Sequence, residues 1–490
     1  MEERNLGKKT IAGMMWSFID LLSNQGIQFI TLLILARLLT PESFGLISMV
    51  TILIAVSNAI IDGGFTQALI REKEVSREDY STVFFFNLLV SFLLYGLIYA
   101  LAGFISDFFG EPQLKEIVRI LSLVIIISSF GFIQKVMIMR HLNFKALTII
   151  NLIASLSSGV VAIVCAFKGM GVWSIIIRTL LMQFIQIVLF WSMNKWTPVL
   201  VFKFRSLKRL FSFGSKLMLS SIIDTLYNNL FFVIIGKFYS PTLLGYYTNA
   251  ASLSNTASIA MTTTIQRVSY PALSKIQHEE ALLKQSFRKV IRTACYIAFP
   301  VMIGLSAVAE PLILLLYGEK WSPSIIYFQL LCLAFMLYPL NALYLNILQV
   351  KGRSDLFLFL EIVKKSLLTI LVVTVVYLKL DVEVIVGTVV IYTYICLFIN
   401  AFPSSKLIGY TFKEQFEDIV PIFISTAVMG VIVYASQSVM PDSHLLMLIL
   451  QILLGVSLYI ALSLILRIKE FKTLWTIMLS VFNKMKIYNT

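Results

Sequence analysis

Residues 7–49 read GKKTIAGMMWSFIDLLSNQGIQFITLLILARLLTPESFGLISM. Within them, SFIDLLSN (17–24) recurs later in the chain as SIIDTLYN (221–228). TPESFG (40–45) recurs as SPTLLG (240–245), so both motifs return after about 200 residues, inside long apolar segments. A chain built from two homologous membrane halves, each opening with polar residues in its first helix, is typical of a secondary transporter.

The composition favours a membrane protein. Hydrophobic residues make up 58% of the chain, and charged residues only 13%, against about 25% in an average soluble domain. Apolar runs of about 20 residues, enough to cross a hydrocarbon core, recur throughout. We therefore predict an all-α polytopic membrane protein with about 14 transmembrane helices. The predicted helices cover residues 11–38, 44–65, 82–105, 115–136, 145–167, 171–192, 210–236, 243–266, 290–316, 324–349, 356–378, 383–403, 418–438 and 445–466.

The repeat predicts the domain organisation. Because six is an even number, two six-helix lobes enter the membrane in the same sense and are parallel repeats. The predicted parts are an N-terminal lobe (1–192), a basic cytoplasmic connector (193–209), a C-terminal lobe (210–403), and two additional helices with a basic cytoplasmic tail (404–490).

The positive charges predict the orientation. Most of the 40 Lys and Arg fall in segments that are cytoplasmic if the N-terminus is cytoplasmic. This bias places both termini in the cytoplasm. It also accounts for most of the net charge of +14, so we expect no nucleic-acid partner.

The remaining sequence features argue against an enzyme. The four cysteines are widely spaced within predicted helices, and the three histidines belong to no metal-binding motif. No GxxxxGK[ST] loop is present, so energy must come from an ion gradient or from consumption of the cargo outside. We expect no metal and no cofactor, with H⁺ or Na⁺ coupling as a candidate.

The pattern A-R-x-L-x-P-x-x-F-G at residues 36–45 and the segment GKFYSPTLLGYYTNA at 236–250 carry a family resemblance. Together with the 12-plus-2 helix count, they resemble the Wzx-type polysaccharide flippases (O-antigen, teichuronic acid and colanic acid exporters) of the multidrug/oligosaccharidyl-lipid/polysaccharide exporter superfamily. The resemblance implies movement of an undecaprenyl-diphosphate-linked oligosaccharide to the outer leaflet of the bacterial cytoplasmic (inner) membrane. It also implies a polysaccharide polymerase or glycosyltransferases as candidate partners.

Such a cargo needs a hydrated route, and polar residues concentrate on the first two predicted helices of each half. Spacing of three to four residues places Ser17, Asp20 and Asn24 on one face of the first helix. We predict that the amides of Asn24, Asn228 and Asn255 line the cavity. We predict that Asp20, Asp224 and Asp62 carry a coupling proton or Na⁺, because an ionised carboxylate in a low-dielectric cavity favours binding of a cation. The alternative is hydrogen bonding between helices.

Cations within the predicted spans are candidate contacts for the diphosphate or for an acidic sugar. Lys364 and Lys365 follow Glu361 in the eleventh helix, and Lys364 lies roughly 14 Å from its cytoplasmic end. Glu361 can pair with only one of the two lysines. Arg178 lies roughly 9 Å into the sixth helix. The alternative is an internal ion pair with snorkelling side chains.

Three other functions compete with this one. A multidrug or cation antiporter of the same superfamily shares the helix plan but does not call for buried cations. A peptidoglycan-precursor (lipid II) flippase is a close relative in function. A membrane polymerase or ligase normally presents a large outer loop, and all predicted outer loops here are short.

Overall fold

The computed structural model describes residues 2–472 and 476, with side chains at 16, 19, 20, 23–472 and 476. All regular structure within them is helical, which confirms the predicted all-α fold. The Ser17 side chain and the end of the predicted basic tail lie outside the described residues. The α-helices are α1 (Glu2–Leu38), α2 (Pro41–Asp62), α3 (Phe65–Arg71), α4 (Arg77–Phe109), α5 (Leu114–Leu121), α6 (Leu123–Arg140), α7 (Phe144–Phe167), α8 (Trp173–Met193), α9 (Phe204–Asn228), α10 (Leu230–Phe238), α11 (Pro241–Lys275), α12 (Glu280–Ala307), α13 (Ala309–Tyr317), α14 (Ser324–Phe335), α15 (Tyr338–Val350), α16 (Ser354–Tyr377), α17 (Val382–Ile408), α18 (Phe412–Ala435) and α19 (His444–Ile465).

Each of the fourteen predicted spans falls on one of these helices or on two consecutive ones. The seventh span is formed by α9 and α10, which are bent by 41° at the break between them. At that break the side-chain amide of Asn229 donates to the carbonyl of Thr225 at 2.8 Å, so a side chain satisfies a group at the end of α9.

In the described part of the chain, ten helical stretches are long and apolar enough to cross a membrane, or eleven if the bent pair counts as one span. The chain is a multi-pass membrane protein. Helices α1, α11 and α16 are not among the ten. These three carry several of the polar and charged residues singled out above, including all three charges of residues 361–365 in α16.

The chain divides into two compact units, Met1–Gly245 and Tyr246–Thr490. In the first unit, helix α4 begins with a capping box: the Ser76 side chain accepts from the Asp79 backbone, and the Asp79 carboxylate accepts from the Ser76 backbone. In the second unit, α12 packs against α14 and α18, and α15 and α16 both pack against α17. The predicted lobe boundaries remain predictions.

The connector at residues 194–203 lies against the start of α4. The Arg77 guanidinium donates to the backbone oxygen of Thr197 at 3.0 Å and to its hydroxyl at 2.7 Å. The backbone N–H of Val199 donates to the Ser81 hydroxyl at 2.9 Å. The connector is therefore an ordered strap, held by bonds to its own backbone rather than by its basic side chains alone.

In the second unit, a charged network fastens α18 and the segment after α19 to α12. The Asp418 carboxylate accepts from the Arg288 guanidinium at 3.0 Å and from the Tyr410 hydroxyl at 2.8 Å. Arg292 donates to Glu470 at 2.9 Å. These bonds attach the two additional C-terminal helices to the rest of their unit.

The two copies of the Pro-x-x-x-Gly motif contact each other within the first unit. A Cβ built on Gly45 would lie 1.8 Å from the carbonyl oxygen of Pro241, and a Cβ built on Gly245 would lie 1.9 Å from that of Pro41. The motif repeat noticed in the sequence is thus a reciprocal backbone contact between the starts of α2 and α11.

Candidate functional site

A polar cavity of about 700 Å³ lies in the first unit, among α1, α2, α3 and α6 to α9. Its volume falls within the usual range for small-molecule sites. Its polar lining consists of Asp20, Asn58, Asp62, Thr66, Ser128, Lys135, Asn151, Gln183, Gln186, Ser221 and Thr225. Amides and hydroxyls dominate this set, and such groups hydrogen-bond well to sugars.

A chain of side-chain hydrogen bonds crosses three helices at the cavity wall. Gln186 of α8 donates to the amide oxygen of Asn151 of α7 at 3.0 Å. Asn151 in turn donates to the two carboxylate oxygens of Asp20 of α1, at 3.1 and 3.4 Å. These hydrogen bonds determine which atoms of the three side chains remain available to a bound molecule.

The second carboxylate of the cavity, Asp62, lies where α2 ends. It accepts from the backbone N–H of Thr66 at 3.1 Å and from its hydroxyl at 2.7 Å, so it caps the short helix α3. The turn between α2 and α3 consists of Gly63 and Gly64, with φ values of 51° and 72°. This left-handed backbone requires glycine and sets the position of Asp62.

Lys135 of α6 is the cation among the described lining residues of the cavity, and its side chain is exposed. No carboxylate pairs with its ammonium in the described part of the chain. Arg140 of the same helix donates to the backbone oxygens of Leu69 and Lys73, both at 2.8 Å, so its guanidinium already has a structural role. Lys135 can therefore offer its charge to an anionic ligand.

Two other predicted residues lie in the first unit but not in the cavity lining. Asn24 of α1 accepts a hydrogen bond from Gln28 at 3.3 Å. Arg178 of α8 is half-buried, and its Nε has no hydrogen-bond partner among the residues that the structure describes. An unsatisfied buried guanidinium N–H is costly, so this position calls for a water or a ligand.

The repeat partners on α9 also lie outside the lining. Asp224 and Asn228 are exposed, whereas Ser221 and Thr225 of the same helix line the cavity. Asp224 is three residues from Ser221, so it lies near the face of α9 that lines the cavity, but it is not itself among the lining residues.

In the second unit, Glu361 pairs with Lys364, its i+3 neighbour. Lys364 is only 7% exposed, and Lys365 is half-buried. Asn255 of α11 is also half-buried. The same unit contains an apolar cleft of about 340 Å³ lined by α12, α13, α18 and α19.

Lys135, Asn151, Gln183 and Gln186 line the cavity but were not predicted as site residues from the sequence. A signal was present for the two glutamines, which are three residues apart in the sixth predicted span and so share a face. Nothing in the sequence pointed to Lys135, because lysines near the cytoplasmic ends of membrane helices are common whether or not they bind a ligand.

Comparison with known proteins agrees with this architecture. A family model described as polysaccharide biosynthesis protein matches residues 34–326. The chain is 25% identical over 437 residues to the teichuronic acid biosynthesis protein TuaB of Bacillus subtilis (strain 168), covering 88% of this chain and 89% of that protein. It is 26% identical over 354 residues to the lipopolysaccharide biosynthesis protein WzxC of Escherichia coli (strain K12), covering 72% of each.

Solved structures share the fold. The lipid II flippase MurJ in an inward closed conformation superposes with a TM-score of 0.72 at 16% identity, covering 93% of this chain and 99% of that one. An inward-facing multidrug resistance MATE family transporter of the MOP superfamily gives a TM-score of 0.61 at 15% identity, covering 79% and 98%. The chain thus has the fold of these membrane transporters.

Proposed function

Since the chain belongs to the polysaccharide biosynthesis protein family, we propose that it moves an undecaprenyl-diphosphate-linked oligosaccharide from the cytoplasmic to the outer leaflet by alternating access. The coarser assignment, a transporter of polysaccharide biosynthesis rather than an enzyme, follows from the family match, the relatives and the shared fold. The cargo and the transport cycle are the proposal.

The observation that carries the proposal is the polar cavity of the first unit. A sugar hydroxyl both donates and accepts hydrogen bonds, and the amides of Asn151, Gln183 and Gln186 offer partners of both kinds. The diphosphate needs a cation, which Lys135 supplies at the cavity, with Arg178 as a further candidate. The polyprenyl chain needs no polar group and can stay in the bilayer.

The carboxylates of Asp20 and Asp62 are the proposed carriers of a coupling H⁺ or Na⁺. Both line the cavity, and their described hydrogen bonds come from neutral donors. A carboxylate without a fixed countercharge binds a cation more readily than one held in an ion pair. The third predicted carrier, Asp224, is exposed and does not line this cavity.

The proposed setting is the cytoplasmic (inner) membrane of a bacterium, with both termini in the cytoplasm, as the distribution of Lys and Arg indicates. A polymerase or glycosyltransferases that consume or supply the cargo are the proposed partners. Neither is needed for the transport step itself.

The test is a chemical analysis of lipid-linked oligosaccharide in a strain lacking this protein. We expect the undecaprenyl-diphosphate intermediate to accumulate on the cytoplasmic side and surface polymer to be lost. Complementation with the wild-type chain should reverse both. Lys364 and Lys365 are also predicted from the sequence to contact the cargo, so the Lys364→Ala/Lys365→Ala double variant should reverse neither. Normal polymer without accumulation would overturn the proposal, and altered drug tolerance in that strain would assign the chain to the multidrug antiporters.

A lipid II flippase is the second candidate, because the MurJ fold matches over 93% of this chain. At 16% identity this likeness shows the fold alone. The same strain separates the two candidates: accumulation of a peptidoglycan precursor, with surface polysaccharide unaffected, would favour the lipid II flippase.

A further inference from the structure

We propose that the segments Pro41–Gly45 and Pro241–Gly245 form a gate at the outer end of the transport route. The gate can close because Gly45 and Gly245 have no side chain to keep the two segments apart. The inference rests on the alternating access and on the orientation proposed above. It assigns a role to the repeated motif that the cavity and its cargo leave unexplained.

The geometry of the contact demands glycine on both sides. A Cβ on Gly45 would lie 1.8 Å from the oxygen and 2.6 Å from the carbonyl carbon of Pro241. A Cβ on Gly245 would lie 1.9 Å and 2.6 Å from the same atoms of Pro41. These neighbours are backbone atoms in the first turns of α2 and α11, so no side-chain rotation can relieve the overlap.

Local conformation does not explain these glycines. Both lie inside helices, and neither has a positive φ. Glycine is a poor helix former, so a glycine at each of these positions makes the helix less stable than an alanine would. The glycines allow the starts of α2 and α11 to approach each other closely. This property is needed only in a state in which the two helix starts are in contact.

The contact is reciprocal because each copy of the motif carries both the proline carbonyl and the glycine that form it. In each copy the glycine follows the proline by four residues, about one helical turn, so the two lie on the same face. Each proline carbonyl therefore meets the other copy's glycine. A contact of this symmetry can form and break as one unit, as a gate between two repeats requires.

A second close approach lies at the other end of α2 and provides a contrast. A Cβ on Gly214 of α9 would lie 2.3 Å from the carbonyl oxygen of Gly63. This contact is at the end predicted to face the cytoplasm. A substitution there disturbs packing to a similar degree but should not open the outer end.

The experiment measures access to the cavity from outside. A reporter, Ala55→Cys on the cavity wall, is placed in a chain whose four cysteines are replaced by serine. Intact cells are treated with a membrane-impermeant maleimide. The variants are Gly45→Ala and Gly245→Ala, singly and together. The matched controls are Gly96→Ala and Gly103→Ala, since a Cβ at either position meets nothing within 4 Å.

We expect outside labelling to rise on the order of tenfold or more in the double variant, because overpacking of this size strongly disfavours the closed state. The Gly96, Gly103 and Gly214 variants should label like the parent chain. Unchanged labelling of the double variant, with normal amounts in the membrane, would overturn the gate. An equal rise with Gly214→Ala would also overturn it, since the effect would then be general loosening.

A second measurement leaves the glycines intact, in case the variants fail to insert. Ser43, between the motif's proline and glycine, is 8% exposed, whereas Ser438, at the outer end of the thirteenth predicted span, is exposed. In energised cells we expect Ser43→Cys to label to completion, but more slowly than Ser438→Cys. A Ser43→Cys that never labels would indicate a permanent contact and contradict the gate. The two proposals can fail separately. If the labelling results are as expected but no lipid-linked oligosaccharide accumulates in the strain lacking this protein, the proposed substrate is wrong and the gate is still supported.

Discussion

Asn151 donates its side-chain amide to both carboxylate oxygens of Asp20, at 3.1 and 3.4 Å, and accepts from Gln186 at 3.0 Å. The carboxylate of α1 is thereby oriented from α7 by a neutral group. No lysine or arginine pairs with it within the described residues. Its charge remains available to a mobile cation, which is what a coupling site requires.

Replacing Asp20 by asparagine should uncouple transport from the ion gradient. The amide keeps the size of the side chain but cannot bind H⁺ or Na⁺ as a carboxylate does. We expect export measured at full membrane gradient to fall about tenfold or more, as loss of a charged group's interaction implies, and to become insensitive to an uncoupler. Unchanged dependence of export on the gradient would rule out coupling through Asp20.

Replacing Lys135 by glutamine should weaken cargo binding at the cavity. A charge-assisted hydrogen bond to phosphate contributes about 1.5–3 kcal/mol, so export at limiting cargo should fall roughly tenfold or more. Lys135→Arg should retain most export, because the charge is kept. The control is Lys115→Gln on α5, where the lysine is also exposed but does not line the cavity. Equal export by Lys135→Gln and the control would contradict a role for this ammonium.

The Glu361–Lys364 pair can be tested for a structural or a ligand-binding role by a double-mutant cycle. Glu361→Leu leaves the buried Lys364 ammonium unpaired and should lower the free energy of unfolding by about 1–3 kcal/mol, since Glu361 is partly exposed. Adding Lys364→Met should restore the melting temperature in detergent. If Lys364 contacts the cargo, the restored double variant still fails to export. Normal export by that double variant would reduce the pair to a structural role.

Replacing Asp79 by alanine should destabilise the first unit. Asp79 closes the capping box of α4 and accepts from Arg209 at 3.1 Å. Loss of the cap alone costs about 1 kcal/mol, so the melting temperature should fall measurably. Glu74→Ala, an exposed carboxylate just before α4, should change stability by less than about 0.5 kcal/mol. Similar melting of both variants would show that the cap contributes little.

The fourteen spans and the repeated motifs were predictable because apolar length and short echoes are local properties of the sequence. The order in the strap was not, because Thr197 and Val199 bond to Arg77 and Ser81, residues more than 100 positions away. A basic, proline-containing connector resembles a flexible linker until its partners are known.

The candidate site was predictable only in part. Asp20 and Asp62 were identified because carboxylates are rare within membrane spans. Asp224 was expected in the cavity by its repeat position, yet Ser221 and Thr225 line it instead. Ser221 and Asp224 are only three residues apart, and which of them lines a cavity depends on the neighbouring helices, which the repeat alone does not reveal.

The three charges of α16 also bear on how the chain enters the membrane. Each charged residue near a helix centre raises the cost of insertion by about 2.5–3.5 kcal/mol, and α16 carries Glu361, Lys364 and Lys365. We expect this segment to fail to integrate when synthesised by itself. Its neighbours α15 and α17 pack against each other and against it. We therefore expect α16 to integrate together with α15 and α17 rather than by itself.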